Sequence, residues 1–269
     1  MAANIISGKG GAVNGENCVR LWQVARVTAP AEAVCSASDG AVVRGAGIWD
    51  WQGRYSGYGH TPSVLPGETF QFIGATRGSK GVQSVANGAI MEETRISWAI
   101  ARGGFIEYVN SFKCATGALT FGSVSASDTS TPNPSVVRSC TLDVTGCEEL
   151  QEMELVLKCI SPSAVTATTA GGTERDVGNK DAEFTARILT KDASFPTESQ
   201  VQVVNFDVGS GLSWTMTWGI VTLVAPLLPI EGPDLQPGFF QAQLAGKFTG
   251  YYSGTKGSIT TPAGASWWP

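Results

Sequence analysis

Nine segments of this chain alternate apolar and polar residues with a period of two: CVRLWQVARVT, IWDWQGRY, TFQFIGA, RISWAI, ELVLKCI, EFTARIL, QVQVVNFDV, WTMTWGIVTLV and FQAQLAGKFTGYY. That period puts successive side chains on opposite faces of a strand, so one face is buried and the other is wet. Gly or Pro stands between most of the segments, which predicts antiparallel sheets closed into sandwiches or barrels. Helical signal is scarce. CEELQEMELVLK at 147–158 admits a helical start, because its acids favour a helix N-terminus, yet ELVLKCI fits a strand equally well. One short helix per domain is expected elsewhere, at no assigned place.

The chain has 269 residues, enough for one large or two ordinary domains. Only 15% of the residues are charged and 33 are Gly, which suits turn-rich β structure and broad assembly surfaces better than a helical enzyme. The net charge of −5 disfavours tight wrapping around duplex nucleic acid, which needs clustered cations, but does not exclude a surface that DNA slides past. The opening MAANIISGKGGAVNGEN lacks the basic end and continuous apolar segment of a secretory signal, so synthesis in a cytoplasm is expected. The most apolar run, WGIVTLVAPLLPI at 218–230, contains Pro226 and Pro229 and falls short of the roughly 20 residues that span a bilayer. No membrane segment is expected.

SVSASDTSTPNPS at 123–135 has no hydrophobic period and reads as a linker between domains at 1–122 and 136–269. The flanking segments carry matches in the same order. RISWAI at 95–100 answers TMTWGI at 215–220, DWQGR at 50–54 answers EFTAR at 183–187, and PGETFQF at 66–72 answers PTESQVQV at 196–203. These predict a duplication with Trp98 and Trp218 in equivalent places and about ten extra residues in the first copy. Through residue 134 there are 10 basic and 9 acidic side chains, and from 135 onward 8 and 14, giving +1 and −6. Unlike charges on two copies favour head-to-tail contact, and neutral drift of solvated faces gives the same numbers.

Catalytic and metal motifs are mostly missing. GKGG at 8–11 lacks the spacing of a phosphate-binding loop. With His60 the sole histidine and no G-x-S-x-G elbow, a serine triad is nearly closed off. The six cysteines, Cys18, Cys35, Cys114, Cys140, Cys147 and Cys159, include no C-x-x-C pair and read as small buried hydrophobes. Glu92 with Glu93 and Glu148 with Glu149 are adjacent acids, which point to opposite faces of a strand and cannot simply act together as a glycosidase pair. No catalytic residue, metal site or cofactor is expected.

GIWDWQGRYSGYG at 47–59 holds Trp49, Trp51, Tyr55 and Tyr58. It admits three readings: a packed strand, a contact with another protein, or a platform on which Trp49, Trp51 and Tyr55 stack a sugar. The core reading adds Trp98 and Trp218 to Trp49 and Trp51. WW at 267–268 is costly to expose and docks on its own domain or on a neighbouring subunit.

The order ASDGAVVRGAGIWDWQGRYSGYGHTPSVLPGETFQF, a Gly-rich loop and RISWAI, behind an N-terminal Gly-Lys-Gly segment, resembles the tail tube proteins of long-tailed bacteriophages over about residues 8–122. The resemblance implies β-sandwich domains that close into six-membered rings, stacked into a hollow tube through which DNA leaves the capsid. Two copies in one chain imply three subunits per ring. It implies no catalytic residues, an acidic lumen without sequence-specific DNA binding, other tail proteins as partners, and a place in the virion. Distal tail, hub and injector tube proteins share the fold. The segment from Gly74 to Glu93 is then expected to be a loop reaching an adjacent ring. Arg77, Lys80 and Glu92, with Trp267 and Trp268, are the candidate stacking residues.

Overall fold

In a computed structural model the structure describes residues 4–9, 12–13, 16, 19–34, 41–45, 47–58, 64–76, 80–99, 106–126, 141–143, 149–165, 172–190, 200–207, 213–226, 240–247, 251–252 and 258–260; side chains are described only within 12–187. The alternating segments form strands throughout. The first half holds β1 (Asn4–Lys9), β2 (Ala12–Val13), β3 (Val19–Thr28), β4 (Ala31–Ala33), β5 (Val43–Gly45) and β6 (Trp49–Tyr58). It continues with β7 (Thr69–Phe70), β8 (Ile73–Ala75), β9 (Lys80–Gln83), β10 (Ala89–Ala99), β11 (Ile106–Cys114) and β12 (Thr120–Ser123). The second half holds β13 (Thr141–Asp143), β14 (Glu149–Ile160), β15 (Ser163–Ala164), β16 (Glu174–Arg175) and β17 (Asn179–Thr190). It ends with β18 (Gln200–Asp207), β19 (Ser213–Pro226), β20 (Phe240–Lys247), β21 (Tyr251–Tyr252) and β22 (Ser258–Thr260). The protein is mainly β, and among the described residues there is no helix.

The open choice at 147–158 falls to the strand. β14 buries Met153, Leu155, Leu157 and Cys159 on one face, the period of a strand and not of a helix. It lies antiparallel between β10 and β17, from Glu93↔Lys158 to Ala99↔Glu152 on one side.

One large sheet runs through both halves in the order β1-β3-β6-β11-β10-β14-β17-β20-β19-β18-β13. Its core face is read along cross-strand rows. Trp22, Tyr55, Asn110, Thr94, Leu157 and Ala182 stand side by side on six successive strands, and all six are buried. A second sheet, β12-β9-β8-β2, covers the first half of this face. Phe72 and Val82 from that layer share one buried cluster with Trp22 and Phe112, and the Phe72 and Phe112 rings lie 4.5 Å apart. Gly53 makes room for this contact, since a Cβ there would overlap the Phe112 ring.

The described part of the segment from Gly74 to Glu93 is therefore not a projecting loop. Most of it is the end of β8, all of β9 and the start of β10, with Val82, Ser84 and Ala89 buried. Its lack of a clear alternation has a physical cause: a short covering layer is anchored by a few small and branched residues packed on aromatics below it.

The strand order recurs. β3-β6-β11-β10 and β14-β17-β20-β19 each place their strands first, second, fourth, third in chain order. The register recurs with it. Thr28 pairs with Trp49 and Cys159 with Lys180; Leu21 pairs with Ser56 and Glu152 with Arg187. Both pairs are bulged at the same step, between Val19 and Leu21 and between Leu150 and Glu152. A constant offset of 131 residues (159 less 28, 187 less 56) carries β3 and β6 onto β14 and β17. Further along, Ile90 faces Lys113 as Ile220 faces Lys247, and Thr69 faces Ile90 as Val201 faces Ile220.

This register corrects the sequence alignment. Asp50 corresponds to Asp181 and not to Glu183, a slip of two residues. Trp218, two residues before Ile220, corresponds to Gly88 and not to Trp98. A slip by an even number keeps every side chain on its face, so alternation alone does not detect it.

β1 completes the pattern at the free end. Its residues Asn4–Lys9 pair with Arg26–Leu21 of β3, at the positions where Thr94–Ala99 of β10 pair with Leu157–Glu152 of β14. The N-terminal strand thus holds on β3 the place that the preceding strand set holds on β14.

Candidate functional site

The aromatic stretch divides between core and rim. β6 alternates inward and outward, so Trp51 and Tyr55 face the covering sheet; each is only 1% exposed. The Trp51 indole N–H donates to the Gly117 carbonyl at 2.9 Å, and the Tyr55 hydroxyl donates to buried Glu16 Oε1 at 2.9 Å. Burial first, and then the Glu16 carboxylate, push the Tyr55 hydroxyl well above its ordinary pKa. Neither ring is open for stacking a sugar. Trp49 is half-buried at the core's edge, with the Arg26 guanidinium 5.6 Å from its ring centroid. Trp98 is buried on β10, and Trp218 lies in β19 with its side chain outside the described residues.

A hairpin from the second half docks beside Trp49. β15 and β16 pair Ser163 with Arg175 and Ala164 with Glu174, in the long connection from β14 to β17. The Thr173 N–H donates to the Trp49 carbonyl at 3.1 Å and the Arg175 N–H to the Ala115 carbonyl at 2.9 Å. The Arg175 guanidinium grips Asp50 with two bonds, Nη1 to Oδ1 at 2.9 Å and Nη2 to Oδ2 at 2.5 Å, and adds one to the Cys114 carbonyl at 3.0 Å. Such bidentate, largely buried geometry is the strong form of an ion pair. The bond to Asp50 is the main reason that the Arg175 pKa is raised. The Cys114 thiol donates to the Thr173 carbonyl at 3.3 Å, and burial, followed by the charge of Asp50, pushes its pKa up to about 12. It is a packed thiol and not an activated nucleophile.

The opposite face of the large sheet is polar and charged. Arg95 joins Glu154 at 2.8 Å and Glu93 at 3.5 Å, Lys113 joins Glu92 at 2.7 Å, and Arg187 joins Glu152 at 3.2 Å. Lys158 pairs with Glu183, whose hydrogen bond is the main cause of its raised pKa. The pairs cross from β11 to β10, β10 to β14 and β14 to β17, so one band of compensated charge runs from the first half into the second. At the β10 bulge Glu92 and Glu93 take different cations, Lys113 and Arg95.

Of the other candidate stacking residues, Lys80 opens β9 exposed, its carbonyl taken by the Thr76 N–H and hydroxyl. Arg77, Trp267 and Trp268 lie outside the described residues, as do residues 127–135 of the expected linker; β12 runs to Ser123 and Val124 is buried. Among the described residues no group of three metal-ligating side chains gathers, and no helix is long and apolar enough to cross a membrane. Sequence reasoning missed the Arg175–Asp50 clamp. Its signal, an arginine three residues before a Gly at the root of each hairpin, is visible only once the offset of 131 between Gly47 and Gly178 is known. No protein-family model matches the chain, and no curated protein matches it at a significant level.

Proposed function

We propose that this chain is a self-assembling structural subunit of the phage tail tube type, whose copies close into rings that stack into a hollow tube for DNA. The observation that carries this reading is the β10–β14 junction, where two strand sets of like order and register meet edge to edge in one sheet. A surface that accepts a like neighbour once within the chain has the geometry to accept it again between chains. The resemblance of residues 8–122 supplies the ring and the tube, and two tandem sandwich domains per chain make three copies a ring of six.

The charged band supports the assignment of a lumen surface. Its arginines and lysines lie beside carboxylates, so passing phosphates displace few counterions and gain little by stopping. On this reading the partners are further copies, neighbouring tail proteins and unread DNA, and the place of work is the virion. Negative-stain microscopy of the purified protein tests it. Rings of three copies with sixfold outline, and tubes at higher concentration, are expected without any ligand; a monomer at every concentration overturns it.

A further inference from the structure

We propose that the β4–β5 hairpin of one copy docks on the second half of another copy, as β15–β16 docks on the first half of its own chain, with Arg44 reaching Asp181 of the second copy. The inference rests on the self-assembly reading, and the internal docking supplies its geometry.

The two hairpins are equivalent at their roots and in register. At Gly47 a Cβ would overlap the Ala29 carbonyl, and at Gly178 the Ile160 carbonyl; both residues of each pair are related by the same offset of 131 (178 less 47, 160 less 29) that relates β3 to β14. Glu32 faces Arg44 in the first hairpin as Ser163 faces Arg175 in the second. Arg44 therefore stands where Arg175 stands. By the same offset Asp181 stands where Asp50 stands, and the local geometry agrees: Asp50 Oδ1 accepts the Trp51 N–H at 2.8 Å, and Asp181 Oδ1 accepts the Ala182 N–H at 2.8 Å. Asp181 is exposed. Lys158 feels its charge but is held first by Glu183.

The contact positions around the charges correspond as well. In the internal docking Gly172 lies on Trp49, whose indole a Cβ would overlap. The first hairpin carries Ala41 at that position, and the receiving strand carries Lys180 where Trp49 would be, so one methyl more on the hairpin meets a narrower aliphatic stem in place of an indole. Thr173, on the hairpin that docks as a strap, is 7% exposed, whereas its counterpart Val42 is 44% exposed. Val34, Val43 and Ile48 around it are exposed too, an apolar patch that a second copy would cover. Arg44 now bonds exposed Glu32 at 2.7 Å, a pair of little strength that is readily exchanged. The same docking lays β3 of one copy along β19 of the other. Among the described residues β18 pairs with β19 from Ser213 to Val221, and the contact falls on the stretch from there toward Pro226 once β1 leaves β3.

The test is charge exchange on the full chain. Association is measured by size-exclusion chromatography with light scattering, ring formation by microscopy, and folding by circular dichroism. Arg44→Asp and Asp181→Arg should each weaken association at least tenfold with the fold intact, and the double variant should recover it. Arg44→Met, which places no acid beside Glu32, should weaken it as well. Single variants that associate like the wild-type chain, or a folded double variant that stays apart, overturn the docking while leaving self-assembly in place. A wild-type chain that forms Arg44-dependent dimers without rings keeps the docking and overturns the tube. A wild-type chain that remains monomeric overturns both.

Discussion

Trp51 shows how a single position ties the first half together. Its ring meets Phe112 edge-on at 6.2 Å, its indole N–H is satisfied by Gly117, and it is closed off from water. Truncation removes a large buried surface, leaves a cavity and takes away the strongest donor to the Gly117 carbonyl, which keeps only the Cys114 thiol, so Trp51→Ala should cost roughly 3–5 kcal/mol in denaturant unfolding. An unchanged midpoint would mean that the ring contributes nothing to the fold. The inward direction of Trp51 was legible in the sequence, because Asp50 and Gln52 flank it with polar side chains. The role of Asp50 was not. Its partner Arg175 is 125 residues away, and nothing in the local pattern separates a clamped carboxylate from a solvated one.

At the scale of elements, seven of the nine alternating segments named from the sequence contain or match single strands of the large sheet, since half-buried strands advertise themselves by their period. TFQFIGA divides, β7 joining the large sheet and β8 the covering one, and FQAQLAGKFTGYY holds both β20 and β21. Register was illegible for the opposite reason: a period of two is blind to even slips, and the tryptophans that anchored the alignment do not correspond. What fixes the register is the shared bulge in β3 and β14 and the tight hairpin roots. Those roots carry a prediction. At Gly47 and Gly178 any Cβ meets a backbone carbonyl of the strand just left, which no rotamer relieves. Gly47→Ala and Gly178→Ala should each destabilise the chain by about 1–3 kcal/mol. Only Gly178→Ala should in addition loosen the strap, read as faster hydrogen exchange at Thr173 and Arg175. Equal exchange in the two variants would contradict the assignment of that hairpin as the docked one.

Across the whole molecule the decisive feature is that the sheet does not stop between the halves. β14 supplies Met153, Leu155 and Leu157 to the cluster that also holds Trp98 and Tyr108, and the strap adds the Arg175 clamp on Asp50 of β6. Each of these apolar side chains is worth about 1.5–3 kcal/mol when buried, which is a large share of the 5–15 kcal/mol of stability usual for a domain. A chain ending at residue 126 would keep β12-β9-β8-β2 over its own strands but would bare the β10 edge from Glu93 to Ala99 together with Ile96 and Trp98. An open edge with apolar neighbours is a template for pairing with another chain. That fragment should therefore unfold at several kcal/mol less than the full chain, and its light-scattering mass should rise with concentration through self-pairing at β10. Adding residues 141–190, which restore β14, β16 and β17, should suppress that self-pairing. A 1–126 fragment that is monomeric and as stable as the intact protein would mean that the junction is a contact of convenience, and the case for repeating it between copies would fall with it.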